Sequence, residues 1–276
     1  MSDSISYNRF LSLLRVPRRP PGLDALGELV EAFQLGVPFE NISKLRRVAN
    51  RPEELTPTLA EYLDEIERRQ LGGTCLTNNP FMYGLLSNLG YLVELWSADM
   101  GPQDRVHTCL VVSFGDERFL VDVGFSAPFF DPIPLADLPF EIRHGPRVYR
   151  LKHWDEPGRY QMSVVEEGNA LISYETWPQA VLPTDLENAI DFSFRPGATF
   201  MSCLAITKHF SRGLTRTLRD LRLTERTLEG QRVTHFASLA EAEAFVHGPM
   251  EMPEAPVRDA ARVLSEIWDV HPFPDL

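Results

Sequence analysis

The sequence places a cysteine directly after a pair of glycines, at Gly72-Gly73-Thr74-Cys75. The glycines allow a tight backbone path, and Thr74 suits the N-cap of the apolar helical pattern that follows. Cys75 would then begin a helix, where unpaired N–H groups and the helix dipole favour a thiolate. Because a thiolate is the nucleophilic form of cysteine, Cys75 is the candidate nucleophile. For this motif alone, a buried and inert cysteine is the alternative.

Two polar residues downstream lie in segments that are rich in β-branched and aromatic residues. His107 lies near the start of one such segment, and Asp122 lies near the end of the next. Both segments are predicted to be strands. Gly115-Asp116 between them suits a two-residue hairpin loop with glycine in the first position.

The register of this hairpin decides whether the two side chains can meet. If Phe114 pairs with Glu117, Asp122 falls opposite Cys109, and His107 lies two residues further along the same face. That diagonal is roughly 7–8 Å between backbones, within reach of a histidine–carboxylate hydrogen bond. The sequence thus predicts a nucleophile, a base and an orienting acid in the order Cys, His, Asp. Three unrelated buried polar residues are the alternative.

Composition limits the classes of function. The chain has 276 residues and a formal net charge of −12, which disfavours a nucleic-acid partner. Three cysteines have the wrong parity for a disulfide framework, and no Cys-x-x-Cys or His-x-x-His pair indicates a metal site. The apolar runs fall short of the roughly 18 residues of a membrane span, and the N-terminus lacks a signal-peptide pattern. We therefore expect a cytoplasmic protein with neither a metal nor a membrane partner.

The periodicity of the chain divides it into three parts. Amphipathic helices are predicted over residues 5–15, 23–35, 56–69 and 82–89. Residues 1–90 are therefore predicted to form a helical domain that carries the nucleophile. Strand-like segments fill residues 91–195, which predicts an antiparallel sheet or a small β-barrel that carries the histidine and the aspartate. After Arg195-Pro196-Gly197, residues 196–276 combine short strands with a helix, as in a small α/β domain.

Several segments, taken in order, resemble the arylamine N-acetyltransferase family. The resemblance is carried by Val37-Pro38-Phe39-Glu40-Asn41-Ile42, Gly72-Gly73-Thr74-Cys75 with Asn79, the His107 strand, Val121-Asp122-Val123-Gly124-Phe125, and Tyr7 with Arg9. It implies an α+β fold, in which a helical bundle is followed by an antiparallel β-barrel and a small α/β lid, with a cysteine-protease-like Cys-His-Asp site. It also implies that acetyl-CoA is the co-substrate and that the acetyl group passes through a cysteine thioester to arylamines, hydrazines or arylhydroxylamines.

The same resemblance implies an aromatic acceptor pocket. Phe39, Phe125 and a residue near Trp96 would line it, and an aromatic amine would stack there in an offset geometry. Coenzyme A and a small-molecule amine or hydrazine are thus the implied partners. The coenzyme-binding residues, the preferred amine and the oligomeric state are not predicted from the sequence.

The chain departs from the family pattern beside the cysteine. Leu71 stands where the family usually has arginine, and Thr77 stands where it usually has glutamate or glutamine. Without that arginine, Arg9 and Glu40 are expected to pair with each other, as a neutral pair that is easier to bury than a charged triad. If the helix begins at the cysteine, Pro80 lies inside it and removes a backbone hydrogen bond.

Three other functions remain open at this point. The first is a macrolactam-forming amide synthase of the same fold, which would need a larger pocket. The second is a hydrolase or transglutaminase-like enzyme with the same Cys-His-Asp site. The third is a catalytically silent binding protein that keeps the fold.

Overall fold

The computed structural model describes the backbone of residues 2–276 and the side chains from residue 5 onward, except that of Trp268. Its helices are α1 (Ser2–Leu14), α2 (Leu23–Gly36), α3 (Ile42–Asn50), α4 (Leu59–Arg69), α5 (Cys75–Leu89), α6 (Glu187–Ser193), α7 (Leu239–His247) and α8 (Val257–Trp268). None of the helices described is long and apolar enough to cross a membrane.

The strands alternate with short turns after α5. They are β1 (Phe39–Glu40), β2 (Leu92–Met100), β3 (Gln103–Phe114), β4 (Glu117–Val121), β5 (Ile133–Pro134), β6 (Phe140–His144), β7 (Arg147–His153), β8 (Tyr160–Glu166), β9 (Asn169–Val181), β10 (Ala205–Ser211), β11 (Leu214–Arg219), β12 (Arg222–Thr227) and β13 (Gln231–His235).

The N-terminal helices bury one apolar face each and leave the other to solvent. In α2 the buried face consists of Leu26, Leu29, Val30 and Phe33, at the spacing of an amphipathic helix. Helix α4 begins with a capping box, in which Thr58 and Glu61 satisfy each other's backbone N–H groups. It ends at Gln70, whose left-handed conformation (φ +53°) turns the chain into the glycine pair.

Strands β2 to β9 form one antiparallel sheet of eight strands, in the order β5-β4-β3-β2-β9-β8-β7-β6, which curls into a nearly closed barrel. The predicted hairpin register is confirmed, because Phe114 pairs with Glu117 and Leu110 pairs with Val121. Gly115 has φ +62°, which is the left-handed conformation that its first place in the loop requires. This register brings the end of β4 beside Leu110, past the middle of β3 and three residues from His107, and Asp122 follows directly after that end.

The remaining sheet has five strands, in the order β1-β10-β11-β12-β13. Its edge strand β1 comes from the N-terminal third, and Phe39 and Glu40 pair with Thr207 and Ile206 of β10. Helices α3, α7 and α8 cover this sheet around a core that includes Leu45. The predicted α+β class is thereby confirmed, with helices, a nearly closed antiparallel barrel and a smaller α/β unit. The division at residues 90 and 195 remains our proposal.

Candidate active site

The two glycines before Cys75 lie where the chain has no room for a side chain. A Cβ on Gly72 would lie 2.2 Å from the carbonyl oxygen of Pro38, and one on Gly73 would lie 2.8 Å from Cβ of Thr77. The backbone N–H of Glu40 also donates to the carbonyl of Gly73 at 3.2 Å. The loop is therefore fixed against the start of β1, and α5 begins at Cys75 itself.

His107 and Asp122 meet inside the barrel, as the hairpin register predicts. Nε2 of His107 and Oδ2 of Asp122 form a hydrogen bond of 2.8 Å, and both side chains are buried. The other carboxylate oxygen, Oδ1, accepts the backbone N–H of Gly124 at 2.9 Å and the side-chain amide of Asn79 at 2.9 Å. These donors fix the carboxylate so that one oxygen faces the imidazole.

The charges around His107 stabilise its imidazolium form. Burial alone lowers the pKa of His107, but the charges of Asp122 and Cys75 and their hydrogen bonds to the ring outweigh it and raise the pKa to about 10. Because Nε2 bonds Asp122, Nδ1 is the ring nitrogen left to interact with the sulfur of Cys75. Sγ of Cys75 also lies 3.7 Å from the carbonyl oxygen of Val106. A proton shared between a thiol and an imidazole gives a reactive thiolate.

Two further contacts join helix α5 to strand β3, and a third joins it to the segment after β4. The hydroxyl of Thr108 donates to the carbonyl of Cys75 at 2.9 Å. The amide of Asn79 donates to the carbonyl of Thr108 at 2.5 Å, and its oxygen accepts the N–H of Val123 at 3.0 Å. The structure places Asn79 one helical turn after Cys75, with contacts to β3 and to the segment after β4. Its position four residues after the cysteine, on the same helix face, is the sequence signal for this role.

Comparison with known proteins agrees with this arrangement. The sequence matches the N-acetyltransferase family over residues 22–247. It is 30% identical over 211 residues to the arylamine N-acetyltransferase of Mycolicibacterium smegmatis, a match that covers 71% of this chain and 74% of that one. The chain belongs to the arylamine N-acetyltransferase family. This family consists of acyltransferases.

Solved arylamine N-acetyltransferases share the fold. The enzyme of Mycobacterium abscessus superposes with a TM-score of 0.80 at 20% identity, over 96% of this chain and 95% of that one. The enzyme of Mycobacterium marinum, solved in complex with CoA, superposes with a TM-score of 0.77 at 21% identity, over 96% of this chain and 99% of that one. The similarity therefore extends beyond the N-terminal half, where the sequence motifs lie, to the C-terminal α/β unit.

Aromatic side chains surround the imidazole of this N-acetyltransferase. The ring of Phe125 packs edge-on to His107 with centroids 5.5 Å apart, and Tyr174 of β9 lies 4.5 Å from it. Phe39 packs edge-on against Phe200, and its backbone bridges to Gly73 of the cysteine loop. Sequence reasoning missed Tyr174, because nothing local indicates that β9 runs beside β2.

The expectation that Trp96 lines the pocket is wrong. Its side chain is only 1% exposed, so it offers almost no surface to a substrate. The indole ring stacks on Tyr160 at 6.3 Å, and its N–H donates to Glu94 at 2.7 Å. Trp96 belongs to the apolar core that fills the barrel on this face of β2.

The expected pair between Arg9 and Glu40 is also wrong. Arg9 reaches the exposed acidic side of α4 and pairs with Asp64 at 2.7 Å and with Glu67. Glu40 is buried and accepts hydrogen bonds from the N–H of Ser43 (2.9 Å), the hydroxyl of Ser43 (2.7 Å) and the N–H of Gly72 (3.1 Å). Burial raises the pKa of Glu40, although these donors oppose it.

Leu71, Thr77 and Pro80 do not move Cys75 away from the start of α5. Leu71 is fully buried in the apolar core beneath α3 and α8, where an arginine would need a charged partner. Helix α5 continues through Pro80 to Leu89, and it begins at Cys75. Thr77 lies on the face of α5 that packs against Gly73. The proline therefore neither delays the start of the helix nor ends it.

Proposed function

We propose that this chain transfers an acetyl group from acetyl-CoA, through a thioester on Cys75, to an arylamine, a hydrazine or an arylhydroxylamine. The observation that carries this proposal is the hydrogen bond between Asp122 and His107, together with the effect of the Cys75 charge on this imidazole, with Cys75 at the first residue of α5. Family membership supports acetyl transfer, and the complex of the Mycobacterium marinum enzyme with CoA supports CoA as the acyl carrier.

In the first half-reaction His107 takes the proton of the Cys75 thiol, and the sulfur attacks the carbonyl carbon of acetyl-CoA. The negative charge that develops on the carbonyl oxygen needs donors, and the unpaired backbone N–H groups at the start of α5 are close to the sulfur. The intermediate collapses, and the CoA sulfur leaves with the proton that His107 holds. A new thioester on Cys75 replaces the one that is consumed.

In the second half-reaction the amine nitrogen attacks the acetyl carbon on Cys75. His107 takes the proton that the nitrogen loses, and the Cys75 sulfur is the leaving group. Asp122 accepts a hydrogen bond from Nε2 throughout, so the imidazole keeps Nδ1 directed at the sulfur. Phe125 and Tyr174 pack on the imidazole and exclude water, which protects the thioester from hydrolysis.

Intact mass spectrometry tests the proposal directly. After incubation with acetyl-CoA alone, we expect one added acetyl group, mapped to Cys75, and we expect an arylamine to remove it. Cys75→Ser should gain no such thioester, whereas the matched variant Cys109→Ser should behave like the wild type. Initial rates against both substrates should give parallel double-reciprocal lines. Intersecting lines without an acetylated species would mean direct transfer in a ternary complex, and the proposed mechanism would be wrong.

The same experiment separates the remaining functions. A hydrolase would lose the acetyl group to water as fast without amine as with it. A silent homologue would not be acetylated at all. An amide synthase would accept a long carrier-bound acyl chain in preference to acetyl-CoA.

A further inference from the structure

A cavity of about 400 Å³ lies between α3, α4 and the end of α6. Thr74, Leu76 and Thr77, which flank the cysteine, form part of its wall, whereas the described residues that line it do not include Cys75, His107 or Asp122. The cavity thus adjoins the cysteine loop without including the three residues of the site described above. Its volume is within the range of small-molecule sites in proteins, which is roughly 300–1,000 Å³.

The charge that lines this cavity is opposite to the charge of the whole chain. Its basic residues are Lys44, Arg46, Arg47, Arg51, Arg68 and Arg69. Its acidic residues are Glu61, Asp64 and Glu65. The protein as a whole has a net charge of −12. An excess of positive side chains in a concave site attracts an anion even when the protein is acidic overall.

The arginines pair with neighbouring carboxylates, but two arginines share one carboxylate in each case, so their charge is only partly neutralised. Arg46 and Arg69 share Glu65, at 3.1 Å and 2.8 Å. Arg47 and Arg51 share Glu61, at 3.0 Å and 2.8 Å. The arginines therefore hold the cavity wall in place and contribute only part of its positive field.

Lys44 is different, because it is buried without a carboxylate. Its side chain is only 8% exposed, and its Nζ donates to the hydroxyl of Ser193 at 2.6 Å. Nζ also lies 4.0 Å above the ring of Phe194. Among the described residues no Asp or Glu forms an ion pair with it. A buried charge that lacks a partner is costly, so the site favours any ligand that supplies the missing negative charge.

The wall next to Lys44 is apolar. It is formed by Leu76, Ile190 and Phe194, with Tyr62 on the side of α4. We propose that this cavity binds a small amphipathic carboxylate, whose carboxylate pairs with the Lys44 ammonium and whose apolar body lies against Phe194 and Ile190. Among the described residues of the wall, Lys44 is the cation without a carboxylate contact, and one carboxylate matches its single charge. The apolar wall favours an aromatic or branched carboxylate over a fully hydrated anion.

Benzoate and its uncharged counterpart benzamide are the probes for this site. We expect benzoate to bind wild-type protein at least about tenfold more tightly than benzamide in isothermal titration calorimetry, since only benzoate supplies a charge for Lys44. In Lys44→Met the two probes should bind equally weakly. Lys152→Met is the matched control, because Lys152 lies on β7 of the barrel and outside this cavity. It should preserve the wild-type preference.

Proton linkage gives a second readout that needs no variant. Burial lowers the pKa of Lys44 to about 7, while the charge of Cys75 opposes this shift. A carboxylate that pairs with Lys44 should therefore bind with uptake of a proton at pH 8 but not at pH 6. The other charged groups that face the cavity are the five arginines with Glu61, Asp64 and Glu65. In Lys44→Arg, benzoate should bind without proton uptake.

Three results would overturn the proposal. The first is equal binding of benzoate and benzamide to the wild type. The second is benzoate binding that survives in Lys44→Met. The third is the absence of proton uptake at pH 8, measured as a heat that does not depend on the ionisation enthalpy of the buffer. Tighter binding of inorganic phosphate than of benzoate would also reject the amphipathic carboxylate. If the Lys44 variants fail to fold in thermal unfolding controls, the two wild-type measurements still decide.

Discussion

The side-chain amide of Asn79 donates to Oδ1 of Asp122 at 2.9 Å, so the helix that begins at Cys75 is tied to the carboxylate that orients His107. The nucleophile and the acid are thereby positioned by one side chain that lies in neither strand of the hairpin. Gly124 makes this approach possible, because a Cβ there would lie 2.6 Å from Cα of Cys75. The site depends on backbone proximity between α5 and the segment after β4.

We expect Asn79→Ala to lower turnover by about 10- to 100-fold with a smaller effect on acetyl-CoA binding, because Asp122 loses a donor and rotates away from His107. Steady-state kinetics would measure this change. Asn88→Ala is the control, since Asn88 lies at the other end of α5 and should leave turnover unchanged. Equal effects of the two substitutions would show that Asn79 contributes only to general stability.

Asp122→Asn should lower turnover on the order of 10³- to 10⁴-fold, because the imidazole loses the acceptor that fixes its orientation. Asp116→Asn removes one carboxylate from the turn of the same hairpin, where the residue is exposed, and should retain normal turnover. Pre-steady-state acetylation by acetyl-CoA would measure the effect on the first half-reaction. Turnover close to that of the wild type in Asp122→Asn would exclude the proposed role.

The hydrogen-bonded pair of His107 and Asp122 also predicts that the stability of the protein depends on pH. The pKa of His107 is raised from 6.5 to about 10, so its favourable contribution to folding is complete below pH 6.5 and is lost as the pH rises towards 10. Asp122→Asn should therefore reduce the free energy of unfolding more at pH 6 than at pH 10. Denaturant unfolding at the two pH values would measure this. The interpretation fails if the loss is the same at both.

Cys75 should react with iodoacetamide at pH 6.5 much faster than Cys109 or Cys203. His107 is an imidazolium at this pH and favours the Cys75 thiolate, whereas burial raises the pKa of Cys109 well above its usual value and that of Cys203 to about 11. Brief labelling followed by peptide mapping would compare the three. His107→Ala should slow labelling at Cys75 alone, and uniform labelling in native protein would contradict the assignment of the nucleophile.

Lys44→Met should stabilise the protein at pH 6.5 by on the order of 2–4 kcal/mol, because it removes a buried charge. The pKa of Lys44 is lowered from 10.5 to about 7, so its penalty is complete below pH 7 and disappears as the pH rises towards 10.5. The gain should therefore shrink at pH 9.5. Unfolding curves of Lys44→Met and of the control Lys152→Met at both pH values would test this, and a gain that is independent of pH would count against it.

The register of the hairpin was predictable because its signal is local. A two-residue loop with glycine first permits few pairings, and the alternation of strand residues then carries the register from Phe114 to Asp122. Helix α8 also has a readable pattern in Val257, Ala260, Ala261 and Leu264, which are all buried at helical spacing, and the sequence analysis overlooked it.

The long-range contacts of the long side chains could not be predicted from the sequence. Arg9 lies 31 residues before Glu40 but pairs across helices with α4, and no periodicity encodes that choice. The sequence around Lys44 is charged and does not indicate burial. Lys44 is buried because it contacts Ser193 of α6, almost 150 residues further along the chain. The burial of Trp96 depends on the packing of Tyr160 from another strand, which no local pattern indicates.

The pairing of β1 with β10 determines when, during synthesis, the contacts around the cysteine loop can be completed. Glu40 bonds to Gly73 of the cysteine loop and pairs in the sheet with Ile206, so both edges of β1 are filled only after the ribosome has passed residue 206. Asn41 adds two side-chain bonds to the carbonyls of Phe200 and Cys203. When the barrel strands of a nascent chain have been synthesised, β10 has not. The cysteine loop then contacts a strand β1 whose other edge is still unpaired. The nucleophile reaches its final surroundings late in synthesis, when the last quarter of the protein is emerging.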